Sequence, residues 1–242
     1  MASLLAGAAT GLGAIPILAG REFSRRTLDL MMGFAGGVML AASSFSLLVP
    51  ALEHTYGGIM VVGAGFMLGG AIVHLVDRYV PHEHLIKGPE GPERTAMSRA
   101  WLLVIAMTIH NFPEGLAVGV AFESESIGTG VAIAVAIGLQ NIPEGLAVAA
   151  PLVRSGYSRR KATGLALVTG LVEPLGGLTG VLVVTLSQYL LPWGLAFAAG
   201  AMVFVVSDEM IPESHTGGFE QYATLGLMIG FVVMMTLDNL FG

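Results

Sequence analysis

The sequence is dominated by eight apolar segments, most of them about 20 residues long or longer, the length that an α-helix needs to cross a bilayer. Because lipid offers the backbone no hydrogen-bond partners, such segments are expected to be helical. They run over Leu4–Ala19, Thr27–Leu52, Gly57–Val80, Ser98–Ala121, Ile127–Leu152, Ala162–Tyr189, Pro192–Ile211 and Tyr222–Phe241. Only 12% of the residues are charged, against about 25% in a typical soluble domain. The sequence therefore predicts an all-α polytopic membrane protein with eight transmembrane helices.

The loops predict the orientation of the chain. All 11 lysines and arginines lie in or beside the loops that follow the first, third and fifth segments. Loops rich in basic residues stay in the cytoplasm, so both termini are expected outside it. The third loop, at about 81–97, is polar and rich in proline and glycine, and we expect it to be flexible. Nothing marks a separate soluble domain, so residues 1–242 are expected to form one transmembrane domain.

Two nearly identical motifs lie inside apolar segments, His-Asn-Phe-Pro-Glu-Gly over His110–Gly115 and Gln-Asn-Ile-Pro-Glu-Gly over Gln140–Gly145. On a helix, the first residue of each motif and its glutamate are four positions apart and share one face. A charge at the centre of a lipid-embedded helix costs roughly 2.5–3.5 kcal/mol. Two copies of such a motif indicate a polar site inside the membrane.

A third carboxylate, Glu173, lies in the sixth segment at about the same depth as His110 and Gln140. Each of the three glutamates adjoins a proline, and a proline inside a helix leaves one backbone carbonyl without its usual donor. Such carbonyls persist in a membrane only where protein or a wet cavity satisfies them. Broken helices that face a polar cavity are a recurring design of transporters.

The motifs form an internal duplication, Asn-x-Pro-Glu-Gly-Leu-Ala-Val over 111–118 and 141–148. Consecutive spans run in opposite directions, so the two copies are inverted relative to each other about a pseudo-two-fold axis in the membrane plane. The equivalent glutamates, Glu114 and Glu144, would meet at that axis. We therefore expect inverted-repeat symmetry, with the polar site at the bilayer midplane.

The polar site has the composition of a metal site. Three carboxylates, Glu114, Glu144 and Glu173, lie there with no lysine or arginine at the same depth, so they must share protons or bind cations. A single Asn or Gln in a membrane helix is more often an interhelical hydrogen-bonding residue, and a lone His is often a packing residue. The convergence of His110 with three carboxylates favours metal binding. Because the chain has no cysteine, nitrogen, oxygen or thioether groups must supply the ligands.

These motifs resemble the ZIP (Zrt-, Irt-like) family of divalent-metal transporters, in particular its bacterial GufA-like and ZupT-like members, and the resemblance covers essentially the whole chain. It implies a binuclear metal centre. One position would use His110, Glu114, Gln140 and Glu144, with Met39 as a further ligand, and the other would use Asn111, Glu114, Asn141, Glu144 and Glu173. The chain departs from several relatives by carrying Gln140 where they have histidine, which puts its metal selectivity in question.

The resemblance also implies what is moved and where. Zn²⁺ is the expected substrate, with Cd²⁺, Fe²⁺, Mn²⁺ and Co²⁺ as further candidates, since nitrogen and oxygen ligands suit these ions. Transport would run across the inner membrane of a bacterium into the cytoplasm, by an elevator-type alternating-access motion. The expected partners are the metal ions and membrane lipid, with no nucleic acid, and self-association as a homodimer is left open.

Further polar residues mark a path on either side of the predicted centre. On the cytoplasmic side these are Asp77, His82, His84, Asp208 and Glu209, which in the family form an exit or regulatory site. On the outer side they are Asp238 and Ser46. Each of them also fits an ordinary interfacial or loop residue, or a residue that joins two helices.

Two alternatives to transport stay open at this point. An intramembrane di-metal carboxylate enzyme would carry Glu-x-x-His pairs on two helices, whereas the order here is His-x-x-x-Glu and the second motif has no histidine. A static structural metal site would not need the prolines, the glycines and the inverted duplication, which indicate movement. We therefore expect a transporter and not an enzyme.

Overall fold

Eight apolar helices form the membrane part of the computed structural model, which describes residues 1–84, 88–90, 99–124 and 127–241, without the side chains of 82–84, 88–90 and 99–100. They are α1 (Ala2–Leu18), α2 (Arg25–Glu53), α3 (Ile59–Tyr79), α4 (Arg99–Phe122), α5 (Ile127–Arg154), α6 (Arg159–Leu186), α7 (Gln188–Ser214) and α8 (Glu220–Phe241). Seven of the helices are long and apolar enough to cross a membrane, and α1 is shorter, at 17 residues. The chain is therefore a multi-pass membrane protein, as predicted.

Local sequence sets where two of these helices begin. The side chain of Ser24 accepts a hydrogen bond from the backbone N–H of Thr27, and that of Ser158 accepts one from Lys161. Both serines have extended backbone angles, so each one caps the free N–H groups at a helix start. The sequence had placed these starts two or three residues later, because hydropathy does not register the polar first turn.

Three spans are less regular than the sequence predicted. Helix α6 ends at Gly170 and resumes at Glu173, just before Pro174, so the expected long sixth span is two helices in line. Helix α2 contains a π-helical stretch over Ala42–Leu48, and α7 contains another over Val206–Met210. Stretches of π-helix widen the backbone and often occur at functional sites. Hydropathy patterns carry no signal for them.

The third loop contains a small β-hairpin that the all-helical prediction missed. Strand β1 (His82–His84) pairs antiparallel with strand β2 (Gly88–Glu90), and His82 lies opposite Glu90. The expected flexibility of about 81–97 stays a prediction, since much of this loop lies outside the described residues.

Glycines let the helices approach each other closely. A Cβ atom on Gly115 of α4 would collide with the carbonyl of Glu173 in α6, and one on Gly176 of α6 would collide with the carbonyl of Phe112 in α4. The same reciprocal arrangement joins α2 to α8 and α3 to α7. In lipid, where apolar surface alone does not drive association, such close packing holds helices together.

The helices form two bundles. The first bundle consists of α1, α4, α5 and α6: α1 packs along α5 and the first half of α6, and α4 packs along α5 and the second half of α6. The second bundle consists of α2, α3, α7 and α8, in which α2 packs along α8 and α3 along α7. The bundles meet where α2 contacts α5 and where α4 contacts α7. All three glutamates of the predicted centre belong to the first bundle.

Candidate metal centre

Seven polar side chains of the first bundle are buried on three neighbouring helices, and none is more than 7% exposed. They are His110, Asn111 and Glu114 of α4, Gln140, Asn141 and Glu144 of α5, and Glu173 of α6. Every first-bundle residue that the sequence assigned to the centre is therefore buried. Glu173 is the first residue of the second half of α6, so the break in that helix sets its position.

Amide groups of α5 hold two of the three carboxylates. The Nε2 of Gln140 donates to Oε1 of Glu114. The Nδ2 of Asn141 donates to Oε1 of Glu173 at 2.5 Å and to the carbonyl of Ala6 in α1 at 2.8 Å. Polar contacts thus connect α1, α4, α5 and α6 in one buried cluster.

Several polar atoms of this cluster have no hydrogen-bond partner within the described residues. They are Glu114 Oε2, Gln140 Oε1, Asn141 Oδ1, Glu144 Oε2, Glu173 Oε2, and both side-chain polar atoms of Asn111. Leaving such a buried atom unpartnered costs about 1–3 kcal/mol. All but one are oxygens, so the cluster presents lone pairs and almost no donors. A divalent cation is the kind of guest that such a set of atoms accepts.

Like charges are concentrated in this cluster. The charges of Glu144 and Glu173 both act on Glu114, and that of Glu144 acts on Glu173. Three such carboxylates cannot all be ionised together without a neutralising proton or cation. The arrangement therefore favours a positively charged occupant.

The side chains of the cluster are not arranged as a complete metal-binding site. Among the described residues, no group of three or more His, Asp or Glu side chains is gathered as a ready metal site. The amide N–H groups of Gln140 and Asn141 each occupy one carboxylate oxygen, Oε1 of Glu114 and Oε1 of Glu173. Turning the two amides around would offer their unpartnered oxygens to the ion instead.

His110 contacts the second bundle. Its Nε2 lies 2.5 Å from Oε2 of Glu209 in the π-helical stretch of α7, and the charges of Glu144 and Asp77 also act on it. Glu209 is only 2% exposed. The sequence analysis grouped Glu209 with the residues near the cytoplasmic end of the seventh span. The structure adds that this residue contacts His110 of the buried cluster, and its place on the path stays a prediction.

Sequence reasoning missed this pairing, although a signal for it exists. The chain reads Pro-Ala-Leu-Glu-His-Thr-Tyr-Gly-Gly after Val49 and Pro-Glu-Ser-His-Thr-Gly-Gly after Ile211. These two similar stretches end α2 and α7, the helices with π-helical turns. Matching them would have indicated that the C-terminal parts of α2 and α7 are equivalent.

The remaining predicted residues lie on other elements of the structure. Met39 is 1% exposed in α2, which packs on α5. Asp77 is buried in the last turns of α3, and Asp208 is half-buried in α7. His82 and His84 lie in β1, and their side chains are outside the described part of the structure.

A cavity of about 390 Å³ lies at the C-terminal end of α2, near the loop that joins α4 to α5. Ser46 donates to Oδ1 of Asp238 at 2.5 Å, and Asp238 lines the cavity together with Glu53 and His54. The two residues predicted for the outer path, one on α2 and one on α8, are thus in direct contact.

Comparison with known proteins assigns the family. A family model described as "ZIP Zinc transporter" matches residues 82–238. Zinc transporter GufA of Myxococcus xanthus is 52% identical, over 100% of this chain and 98% of its own length. Zinc transporter ZIPB of Bordetella bronchiseptica is 45% identical, over 97% of this chain and 78% of its own length. Zinc transporter ZupT of Corynebacterium glutamicum is 39% identical, over 96% of this chain and 94% of its own length. The chain therefore belongs to the ZIP zinc transporter family, which is a family of transporters and not of enzymes.

Proposed function

We propose that this chain carries zinc across the inner membrane of a bacterium into the cytoplasm, through the buried cluster on α4, α5 and α6. The observation that carries the proposal is the set of unpartnered oxygens buried on three helices of one bundle. The names of the relatives, all zinc transporters, support zinc as the substrate. Cd²⁺, Fe²⁺, Mn²⁺ and Co²⁺ would compete with it, because nitrogen and oxygen ligands accept all of these ions.

The cluster has enough ligands for two adjacent ions bridged by Glu114 and Glu144. One ion would be bound by His110 and Gln140 together with the bridging glutamates, with the Met39 thioether closing the position. The other would be bound by Asn111, Asn141 and Glu173 with the same bridges. Support comes from the amides of Gln140 and Asn141, which already contact Glu114 and Glu173, so a cation need only replace the N–H groups.

The pairing of helices supports an inverted repeat with the centre at the bilayer midplane. A two-fold axis of this kind would exchange α1 with α6, α2 with α7, α3 with α8, and α4 with α5. Under this exchange, the α1–α5 contact becomes the α6–α4 contact, and the α2–α8 contact becomes the α7–α3 contact, and all four contacts are present. The helices exchanged in this way share further features: α4 and α5 carry the duplicated motif, and α2 and α7 carry π-helical stretches followed by proline. The motifs lie in the middle of their spans, where the axis would pass.

The same exchange relates the two halves of the proposed path. Ser46 lies four residues before Pro50, and Asp208 lies four residues before Pro212. Asp238 and Asp77 both lie near the C-terminal ends of their helices, α8 and α3. The outer pair of Ser46 and Asp238 would thus guide cations in, and the symmetry-related Asp208 and Asp77, with Glu209, would guide them out. His82 and His84 stay a prediction for the exit side.

The two bundles suit an elevator-type motion. All glutamates of the centre lie on the first bundle, while Glu209, Asp77, Asp208, Ser46 and Asp238 lie on the second. Sliding the first bundle along the second would bring one centre past two sets of guiding residues.

The orientation of the chain is supported by a shared cavity. Arg25, beside the first loop, and Arg154, beside the fifth loop, both line it. This supports the first and fifth loops lying on one side of the membrane, with both termini on the other side. A homodimer stays a prediction.

Uptake into proteoliposomes tests the proposal. Purified protein is reconstituted with Zn²⁺ outside and a zinc-sensitive dye inside. We expect Glu114→Gln and Glu144→Gln each to lower the uptake rate about 100-fold, because each removes a bridging charge. The matched control is Glu220→Gln, which removes an exposed carboxylate at the start of α8. Zinc that binds in stoichiometric amounts but never enters the vesicles would contradict transport.

A further inference from the structure

Three arginines from separate parts of the chain line one cavity of about 260 Å³. Arg21 lies in the loop after α1, Arg154 is the last residue of α5, and Arg159 is the first residue of α6. Arg154 and Arg159 flank the same short loop, and folding brings Arg21 to them from another loop. The transport path makes no use of them.

Local structure positions Arg159. The turn after α1 contains Gly20, whose φ of +79° is a conformation that glycine adopts most readily. A Cβ atom there would lie 2.8 Å from Nη1 of Arg159, so the guanidinium rests directly on this turn. Arg159 also begins a helix of 12 residues capped by Ser158, and the positive end of a helix dipole favours anions.

The charge of the cavity is strongly positive. Its lining includes one carboxylate, Glu22, against three guanidinium groups. The nearby Arg25, in contrast, is neutralised by Asp29 at 2.7 Å. Guanidinium groups bind phosphate through paired hydrogen bonds, so an excess of them around one cavity fits a phosphate group.

The other side of the cavity is apolar. Ile17 of α1, Phe23 of the following loop, and Ala150 and Val153 of α5 complete the lining. A free phosphate ion gains nothing from such a surface, whereas a phospholipid places an apolar glycerol and chain region directly beside its headgroup. Basic pockets between membrane helices on the cytoplasmic side are known to take anionic headgroups.

We propose that this cavity binds the phosphate of an anionic phospholipid between the ends of α1, α5 and α6. The bound lipid attaches that end of the first bundle to the membrane surface. This site is independent of zinc, because it requires only that this end of the bundle lies at the membrane surface.

Native mass spectrometry of the purified full chain tests this site. The protein in detergent is titrated with phosphatidylglycerol, phosphatidylcholine or inorganic phosphate alone. We expect phosphatidylglycerol to bind about tenfold more tightly than phosphatidylcholine, and the variant R21Q/R154Q/R159Q to lose this preference. We expect the variant R21K/R154K/R159K, which keeps the charges but not the paired hydrogen bonds, to retain part of the preference, and this retention would show that the loss is not due to misfolding.

The matched control is R26Q/R160Q/K161Q, which removes the same charge from neighbouring positions outside the cavity and should keep the preference. An equal loss in this control would overturn the site, because any basic surface would then suffice. Displacement of the lipid by millimolar inorganic phosphate would overturn the assignment to a lipid in favour of a free anion. Zinc uptake is measured separately, so failure here leaves the transport proposal standing.

Discussion

In the proposed centre, Gln140 is the ligand from which we expect the largest effect on metal preference. Its Nε2 donates to Glu114 while its Oε1 has no partner among the described residues. As a ligand it can offer only a neutral amide oxygen. Imidazole nitrogen is a better ligand for zinc, whereas oxygen ligands suit Mn²⁺. The residue therefore favours a broader choice of metals than histidine would.

We expect Gln140→His to strengthen zinc binding about tenfold while leaving Mn²⁺ affinity nearly unchanged, because the imidazole adds a ligand that zinc prefers. Titration of the purified protein with each metal measures the two affinities. The control Gln188→His adds an imidazole at an exposed position at the start of α7 and should change neither. Equal changes for both metals would show that residue 140 does not select between them.

At the residue scale, the sequence predicted the buried cluster, because the duplicated motif marks its residues on α4 and α5 and the depth of Glu173 in its segment placed it with them. The sequence did not predict that Glu209 is buried, because its burial depends on how α7 packs against α4. Nor could it show that Asn141 also donates to the carbonyl of Ala6, since that contact joins residues 135 positions apart. Contacts between distant helices leave little trace in one sequence.

Among the helices, the close approach of α4 to α6 is what positions Glu173 beside Glu114. Gly115 permits it, because any side chain there would collide with the backbone carbonyl of Glu173. The break at 171–172 then allows Glu173 to begin a new helix at the cluster. Hydropathy predicted these spans but neither the break nor the π-helical stretches, which depend on local hydrogen bonding and not on how apolar the segment is.

We expect Gly115→Ala to lower the free energy of unfolding by about 1–3 kcal/mol and to weaken zinc binding, because the added methyl group pushes Glu173 away. Thermal unfolding in detergent and zinc titration measure the two effects. The control is Gly63→Ala in α3, where a Cβ atom meets nothing within 4 Å. Similar losses in both variants would mean that the α4–α6 contact has no special role.

For the whole molecule, the division into two bundles decides how an ion could cross. The sequence predicted a multi-pass protein of the ZIP family, and both are confirmed. It gave no means of assigning helices to bundles, because the assignment rests on which glycines meet which carbonyls. The elevator motion proposed from that assignment can be tested directly, because the chain has no cysteines of its own.

We expect a disulfide between α4 and α7 to stop transport, because these helices belong to different bundles. A Cβ atom on Gly194 of α7 would lie 3.2 Å from Cγ1 of Val120 in α4, so the pair V120C/G194C can form a bond. The control G65C/A196C joins α3 to α7 inside the second bundle, where a Cβ atom on Gly65 would lie 3.0 Å from the Cβ atom of Ala196. Oxidation should abolish uptake only in the first pair, and reduction should restore it. Full uptake through an oxidised V120C/G194C would exclude sliding at this contact.

The central claim is that the buried carboxylates are neutralised by divalent cations, and a zinc anomalous map from crystals grown with Zn²⁺ tests it most directly. We predict two zinc peaks between α4 and α5, each about 2.0–2.2 Å from an oxygen of Glu114 and one of Glu144. A map without a peak there, in which Gln140 still donates to Glu114 and Asn141 to Glu173, would contradict the account.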